Sequence, residues 1–233
     1  MKSVDFDLHA DTYDEDLNRA LAASGEDKHY FARGRVQWLA ACLNRINERP
    51  ASVLDYGCGM GDTSVLFEQL LGVASVVGLD VSERSLAHAQ ARHARKGCLF
   101  STFDSYTPQQ SVDLVYCNGV FHHIPPAERD AAIDYVYRCL RPGGLFSLWE
   151  NNPWNPGTRY VMARLPFDRD AIPLTAAEST RLARRRGFAV LAVDYRFFFP
   201  RWLAGLRFLE PQLAGVPLGA QYQALCRKPL SAA

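Results

Sequence analysis

Residues Val53-Leu54-Asp55-Tyr56-Gly57-Cys58-Gly59-Met60-Gly61 decide the fold of this chain. A short apolar run reaches an acidic residue, and glycines then fall at alternate positions: Gly57, Gly59 and Gly61. The run predicts a buried strand. The glycines allow a sharp turn and let a ligand lie against bare backbone. A helical pattern begins at Asp62. Strand, glycine turn and helix together form the arrangement that cradles nucleotide-like ligands.

The same alternation continues outward. Strands are predicted at 52–56, 75–79, 98–103, 112–117 and 145–149, with helices between them at 62–71, 83–95 and 127–140. Val-rich runs separated by helices predict a parallel sheet covered on both faces. Upstream, apolar residues at helical spacing predict a helix over 28–47, stopped by Pro50. Residues 1–24 are acidic and irregular, with Phe6 and Tyr13 as aromatic groups. Downstream, a helix over 175–187 ends at Gly187 with Arg184, Arg185 and Arg186 in its last turn, where cations suit the helix dipole. Strands at 188–194 and 220–227 bring the sheet to seven. Between them lies an aromatic insert, Phe197-Phe198-Phe199-Pro200-Arg201-Trp202, then a helical piece to about Pro211. The insert reads either as core or as the roof over an apolar substrate.

Spacing narrows the ligand. A dinucleotide fingerprint places a third glycine where this chain has Asp62, and no Gly-Lys-Ser/Thr ending marks a phosphate loop. Asp55-x-Gly57-x-Gly59-x-Gly61 instead resembles the first motif of the class I S-adenosylmethionine (SAM)-dependent methyltransferases. Three further stretches fall in that family's order: Gly78-Leu79-Asp80-Val81-Ser82, Asp113 through Pro126 with Asn118-Gly119 and His122-His123, and Arg141-Pro142-Gly143-Gly144. The resemblance is strong over residues 50–150. It implies an α/β fold, a doubly wound, seven-stranded and mostly parallel Rossmann-like sheet with an N-terminal helical lid and a small insert before the last strand. One domain is expected over 1–233: lid and helices at 1–49, SAM-binding core at 50–150, and substrate side with the C-terminal strands at 151–233.

The resemblance also implies roles for single residues. Asp55, Gly57, Cys58, Gly59 and Gly61 would hold the amino-acid end of SAM. Asp80, with Val81 beside it, would accept hydrogen bonds from the ribose hydroxyls. The other reading of Asp80 is a helix cap, for which Ser82 is better suited. Phe103 and Asp104 would hold adenine, unless Asp104 is a simple turn residue. Asn118 and Gly119 would pass beneath the sulfonium. Tyr13 would belong to the lid, with Arg35 or Arg33 reaching the cofactor carboxylate.

His122 and His123 are the candidate catalytic residues, since a hydroxyl nucleophile needs a base. The alternative is a structural histidine beneath the loop. Glu150, Asn151, Asn152, Trp154 and Arg159 leave the fifth strand, where ligand crevices form, and are the substrate-binding candidates. Asn-Pro turns account for the same residues equally well.

Composition sets the remaining limits. Lys plus Arg number 26 and Asp plus Glu 25, so no general attraction to nucleic acid is expected. The six cysteines include no C-x-x-C pair and read as reduced core residues of a cytoplasmic protein; no metal ligands are expected. A polar start argues against a signal peptide, and no run reaches membrane-span length. The implied function is SAM-dependent methylation of a small molecule, O-methylation first, with S-adenosylhomocysteine as product. N-methylation and a non-catalytic SAM-binding protein are the alternatives. An NAD-dependent oxidoreductase is disfavoured by Asp62. The oligomeric state is not legible.

Overall fold

The computed structural model describes Asp7 and residues 13–230, without the side chains of Tyr13 and Asp14. In chain order the main elements are α1 (Tyr13–Leu21), α2 (Lys28–Arg45), β1 (Ser52–Tyr56), α3 (Ser64–Leu71), β2 (Ser75–Asp80), α4 (Glu83–His93) and β3 (Cys98–Thr102). They continue with β4 (Val112–Asn118), α5 (Arg129–Cys139), β5 (Leu140–Asn151), α6 (Pro156–Met162), α7 (Ala176–Arg186), β6 (Ala189–Arg196) and β7 (Gln221–Arg227). Short 3-10 turns fall between, the longest at Arg201–Leu209.

The sheet has the order β3-β2-β1-β4-β5-β7-β6. The first five strands run parallel, and β7 is antiparallel to both of its neighbours. Alternation across the pleat fills two core layers. Leu54, Val115 and Cys117 face the layer that includes Ile133 of α5 and Leu182 of α7. Val53, Leu114 and Tyr116 face Val36 and Leu39 of α2 and Phe67 of α3. Burial on both faces is why these strands read as continuous apolar runs. All six cysteines are free and buried. No helix of the described residues is long and apolar enough to cross a membrane.

Three local features differ from the expectations. The Arg141-Pro142-Gly143-Gly144 stretch lies inside β5 as an irregularity, not in a turn before it: pairing with β4 jumps from Val112↔Leu140 to Leu114↔Leu145. Gly143 makes this possible with φ +77°. Helix α6 stands where the Asn-Pro stretch was expected to form a substrate-recognition loop or a turn. Asn155 caps it through its side-chain oxygen, which accepts from the Thr158 N–H, and Pro156 stands at the first helical position. The piece after the aromatic insert is 3-10 rather than α-helical, with Leu203 off helical geometry.

Candidate functional site

Strand order reverses between β1 and β4, and ligands of open α/β sheets bind beyond the strand ends at such a point. A cavity of about 580 Å³ lies there. Its walls take in the glycine turn, Asp55, Asp80, Asn118, Gly119, His122, His123 and Asn151, and Leu17 and Leu21 of α1 reach it from the N-terminal side.

The glycine turn is clamped to the end of β2, because Gly57 N–H and Cys58 N–H both donate to Leu79 O at 2.7 and 3.0 Å. Asp80 ties the same two elements together. One oxygen accepts from Gly59 N–H at 2.8 Å and the other from Ser82 N–H at 2.9 Å. Carboxylate oxygens accept more than one hydrogen bond, so Asp80 keeps capacity for a ribose. Ser82 caps α4 through Ser85 N–H, leaving Asp80 to bridge. A Cβ on Gly57 would fall 2.3 Å from Val120 Cγ2, so packing and its φ of +77° both demand glycine. A Cβ on Gly59 would meet nothing within 4 Å, so that backbone faces open space. Gly61 packs against Phe100 and Ala89, and Gly61 and Val81 are outside the cavity lining.

Asp62 explains in structural terms why a dinucleotide turn does not form. Its carboxylate pairs with Lys28 Nζ at 2.5 Å and with His93 Nε2 at 3.2 Å. Burial alone would raise its pKa; these two partners overcome that and lower it. A charged, tethered side chain occupies the place where a third glycine would let helix and strand close up.

One end of the cavity matches a zwitterion. Asp55 is fully buried and accepts from Ser64 Oγ at 2.7 Å. Burial pushes its pKa up to about 7, against the opposing Ser64 hydrogen bond. Arg35 is buried too, donating from Nε to Tyr116 Oη at 3.2 Å and from Nη1 to Gln221 Oε1 at 3.0 Å. Gln221 in turn donates to Asn151 Oδ1. Arg33, the other candidate, is exposed.

The histidine pair sits in a 3-10 turn, Phe121–His123, just past β4. Glu150 locks it from behind: Phe121 N–H donates to Glu150 Oε1 at 2.8 Å, and His122 Nδ1 lies 2.5 Å from Glu150 Oε2. Asp168 approaches from the cavity side, 3.6 Å from His122 Nε2 and 3.4 Å from His123 Nε2. Burial favours a neutral His122, but Glu150 and then Asp168 outweigh it and raise the pKa to about 10. Burial and the charge on His122 push His123 down to about 4. One imidazole is therefore held charged and the other neutral at pH 7, with rings 4.1 Å apart.

Sequence reading missed Asp168. It stands in a short 3-10 turn, Pro166–Asp168, far along the chain from the histidines, and no spacing links them. This segment is pinned to the histidine turn by Ile172 N–H donating to His122 O at 2.8 Å, and Arg129 donates to Ile124 O and Ile172 O.

The aromatic insert divides. Phe197 is core, packed on Phe31 and Tyr30 with centroids 5.0 and 6.0 Å away. It holds φ +65°, a left-handed conformation costly for a bulky residue. Glu210 holds it there by accepting from the N–H groups of Phe197, Phe198 and Phe199. Phe197 also borders the cavity, which Phe198, Phe199 and Trp202 line beside it.

Several candidates lie elsewhere. Phe103 packs on Tyr56 and Tyr135, and Asp104 is exposed; neither lines the main cavity. Glu150 reaches the cavity only through His122. Asn152 is buried, donating to Pro217 O and Gly219 O. Trp154 is 60% exposed. Arg159 lines a separate crevice with Arg164 and Arg169. The Tyr13 side chain lies outside the described residues.

The methyltransferase-domain family model matches residues 53–144. A Mycolicibacterium smegmatis protein named as a probable S-adenosylmethionine-dependent methyltransferase is 30% identical over 213 residues, covering 88% of this chain and 75% of that protein. A trans-aconitate 2-methyltransferase of Methylobacterium radiotolerans is 31% identical over 134 residues, 57% of this chain and 48% of its own length. The chain thus spans about half the length of these latter relatives. Among solved structures, a SAM-dependent methyltransferase of Thermotoga maritima has TM-score 0.68 at 19% identity, covering 96% of this chain and 98% of that one. The chain belongs to the SAM-dependent methyltransferases, with the class I Rossmann-like fold.

SAM is the cofactor of this family, and the residues present fit it. Gly59 leaves the cradle open where a Cβ would intrude. Asp55 and Arg35 offer a carboxylate for the ammonium and a guanidinium for the carboxylate of an amino acid.

Proposed function

We propose that this protein transfers a methyl group from SAM to a hydroxyl oxygen of a small, partly aromatic or apolar acceptor. The observation that carries the reading is the placement of the His122–His123–Asp168 cluster on the same cavity wall as the glycine turn, Asp55 and Asp80. Bound SAM supplies a methyl group on a positively charged sulfur, open to in-line displacement.

The chain's own residues hold and orient the reactants. Asp55 and Arg35 take the amino-acid end and Asp80 the ribose. Asp104 and Phe103, on the turn after β3, are proposed for adenine. Asn118 and Gly119 pass beneath the reacting centre, and Gly119 is fixed there by donating to Trp149 O at 2.9 Å. Phe198 and Phe199 exclude water from the acceptor side and offer it apolar faces, and the exposed Trp202 adds a further apolar face. His123, neutral and facing the cavity, accepts the hydroxyl proton from the acceptor as the oxygen attacks. His122, held charged between two carboxylates, orients its neighbour and takes up no proton.

Support for a small acceptor comes from the cavity volume of about 580 Å³ and from the relatives named for trans-aconitate. Six free, buried thiols support a reducing compartment such as the cytoplasm. Incubation with methyl-labelled SAM and a panel of small phenols, alcohols, acids and amines tests the reading. Label on a hydroxyl oxygen is the expected result. Label confined to amines would replace O- by N-methylation, and no transfer to any acceptor despite SAM binding would favour a non-catalytic SAM-binding protein.

A further inference from the structure

The geometry points to a divalent-cation site formed by His122 Nε2, His123 Nε2 and Asp168 Oδ1, opening into the cavity. This rests on the reading above that the cluster faces the acceptor. Among the described residues these three form the one group of His, Cys, Asp and Glu side chains whose ligating atoms converge, all within 4.8 Å of one another. Asp168 Oδ1 stands 3.6 and 3.4 Å from the two imidazole nitrogens. Ligands about 2.1 Å from a tetrahedral ion stand about 3.4 Å apart, so two of the three edges already have the required length.

Two further features suit a cation. The ligand set, two imidazoles and one carboxylate, is that of zinc and related transition ions with an open fourth position. Glu150 accepts at His122 Nδ1, the arrangement in which a carboxylate fixes a ligating imidazole so that Nε2 points at the metal. All three ligands line the main cavity, so the fourth position falls to the acceptor's oxygen or to water. With the ion bound, its charge would lower the proton affinity of the acceptor hydroxyl, which would release its proton to water; His123 acts as the base of the reading above only in the metal-free protein.

The test uses the whole protein stripped with a chelator and titrated with Co²⁺ alone. The expected result is one Co²⁺ per chain, with the intense visible absorption of four- or five-coordinate cobalt. Asp168→Asn and His123→Gln should each abolish that absorption, and Glu150→Gln should weaken Co²⁺ binding about 10–100-fold. Calorimetry with S-adenosylhomocysteine on the same samples should be unchanged, because these side chains are not assigned to the cofactor. Absence of the visible band from the wild-type protein at stoichiometric Co²⁺ overturns the proposal, as does an undiminished band in both ligand variants. Loss of S-adenosylhomocysteine binding by the wild type would instead refute the methyltransferase reading.

Discussion

Replacing Asp55 by asparagine isolates the effect of one buried carboxylate on stability and on cofactor binding. The folded protein holds the Asp55 proton up to about pH 7, against a reference value of 3.8. Between those values the folded state binds more protons than the unfolded chain, so stability falls as pH rises. At about 1.4 kcal/mol per pH unit, the loss is about 4 kcal/mol by pH 7.5 or so, complete above the folded-state value and absent below pH 4. Asparagine has the same shape, keeps a partner in Ser64 Oγ, and carries no charge. Asp55→Asn should therefore exceed the wild type by only about 1 kcal/mol at pH 4.5 and resist urea more strongly at pH 8, by up to about 4 kcal/mol. SAM binding should move the other way. The ammonium that offsets the buried charge loses its partner, so affinity should drop by about 1.5–3 kcal/mol. Urea melts at both pH values, with and without SAM, read all four quantities. A variant whose stability shows the wild-type pH slope would refute the assignment of that slope to Asp55. Unchanged SAM affinity would remove Asp55 from the cofactor site.

Asp80→Ala should weaken SAM binding by about 1.5–3 kcal/mol in calorimetry, and it should also loosen the glycine turn, since Gly59 N–H loses its acceptor. His123→Ala should lower turnover about 10²–10⁴-fold with S-adenosylhomocysteine affinity retained; near-normal turnover in a folded variant would reduce His123 to structure. Gly57→Ala should destabilise by about 1–3 kcal/mol in thermal or urea melts, because a Cβ there meets Val120 Cγ2 at 2.3 Å and φ is +77°.

Most of the sheet was legible because its signals are local. The strand ends at Tyr56, Asp80 and Cys117-Asn118 follow apolar runs that both core layers require, and the glycine turn announces itself by backbone need. Helix α6 was missed although its cap and proline stood in the sequence, since Asn-Pro serves turns as readily as helix starts. The cavity was legible where it is built from strand ends: Asp55, Asp80, Asn118 and the histidines all face it. Asp168 was not, because an aspartate in a short 3-10 turn carries no periodicity, and its segment is brought to the histidines by the Ile172 N–H and the Arg129 guanidinium, both donating to backbone carbonyls. Glu150 shows the reverse problem. Its position at a strand end suggested substrate contact, but the pleat turns it behind His122. Phe197 and its neighbours could not be split into core and wall from composition, since the division depends on Glu210 fixing one left-handed residue.

The most direct test of the central claim is calorimetric titration of the purified protein with SAM, S-adenosylhomocysteine and NAD. Micromolar binding of the first two with stoichiometry near one, and none of the third, is the predicted result. Binding of NAD, or of neither sulfur compound, would contradict it.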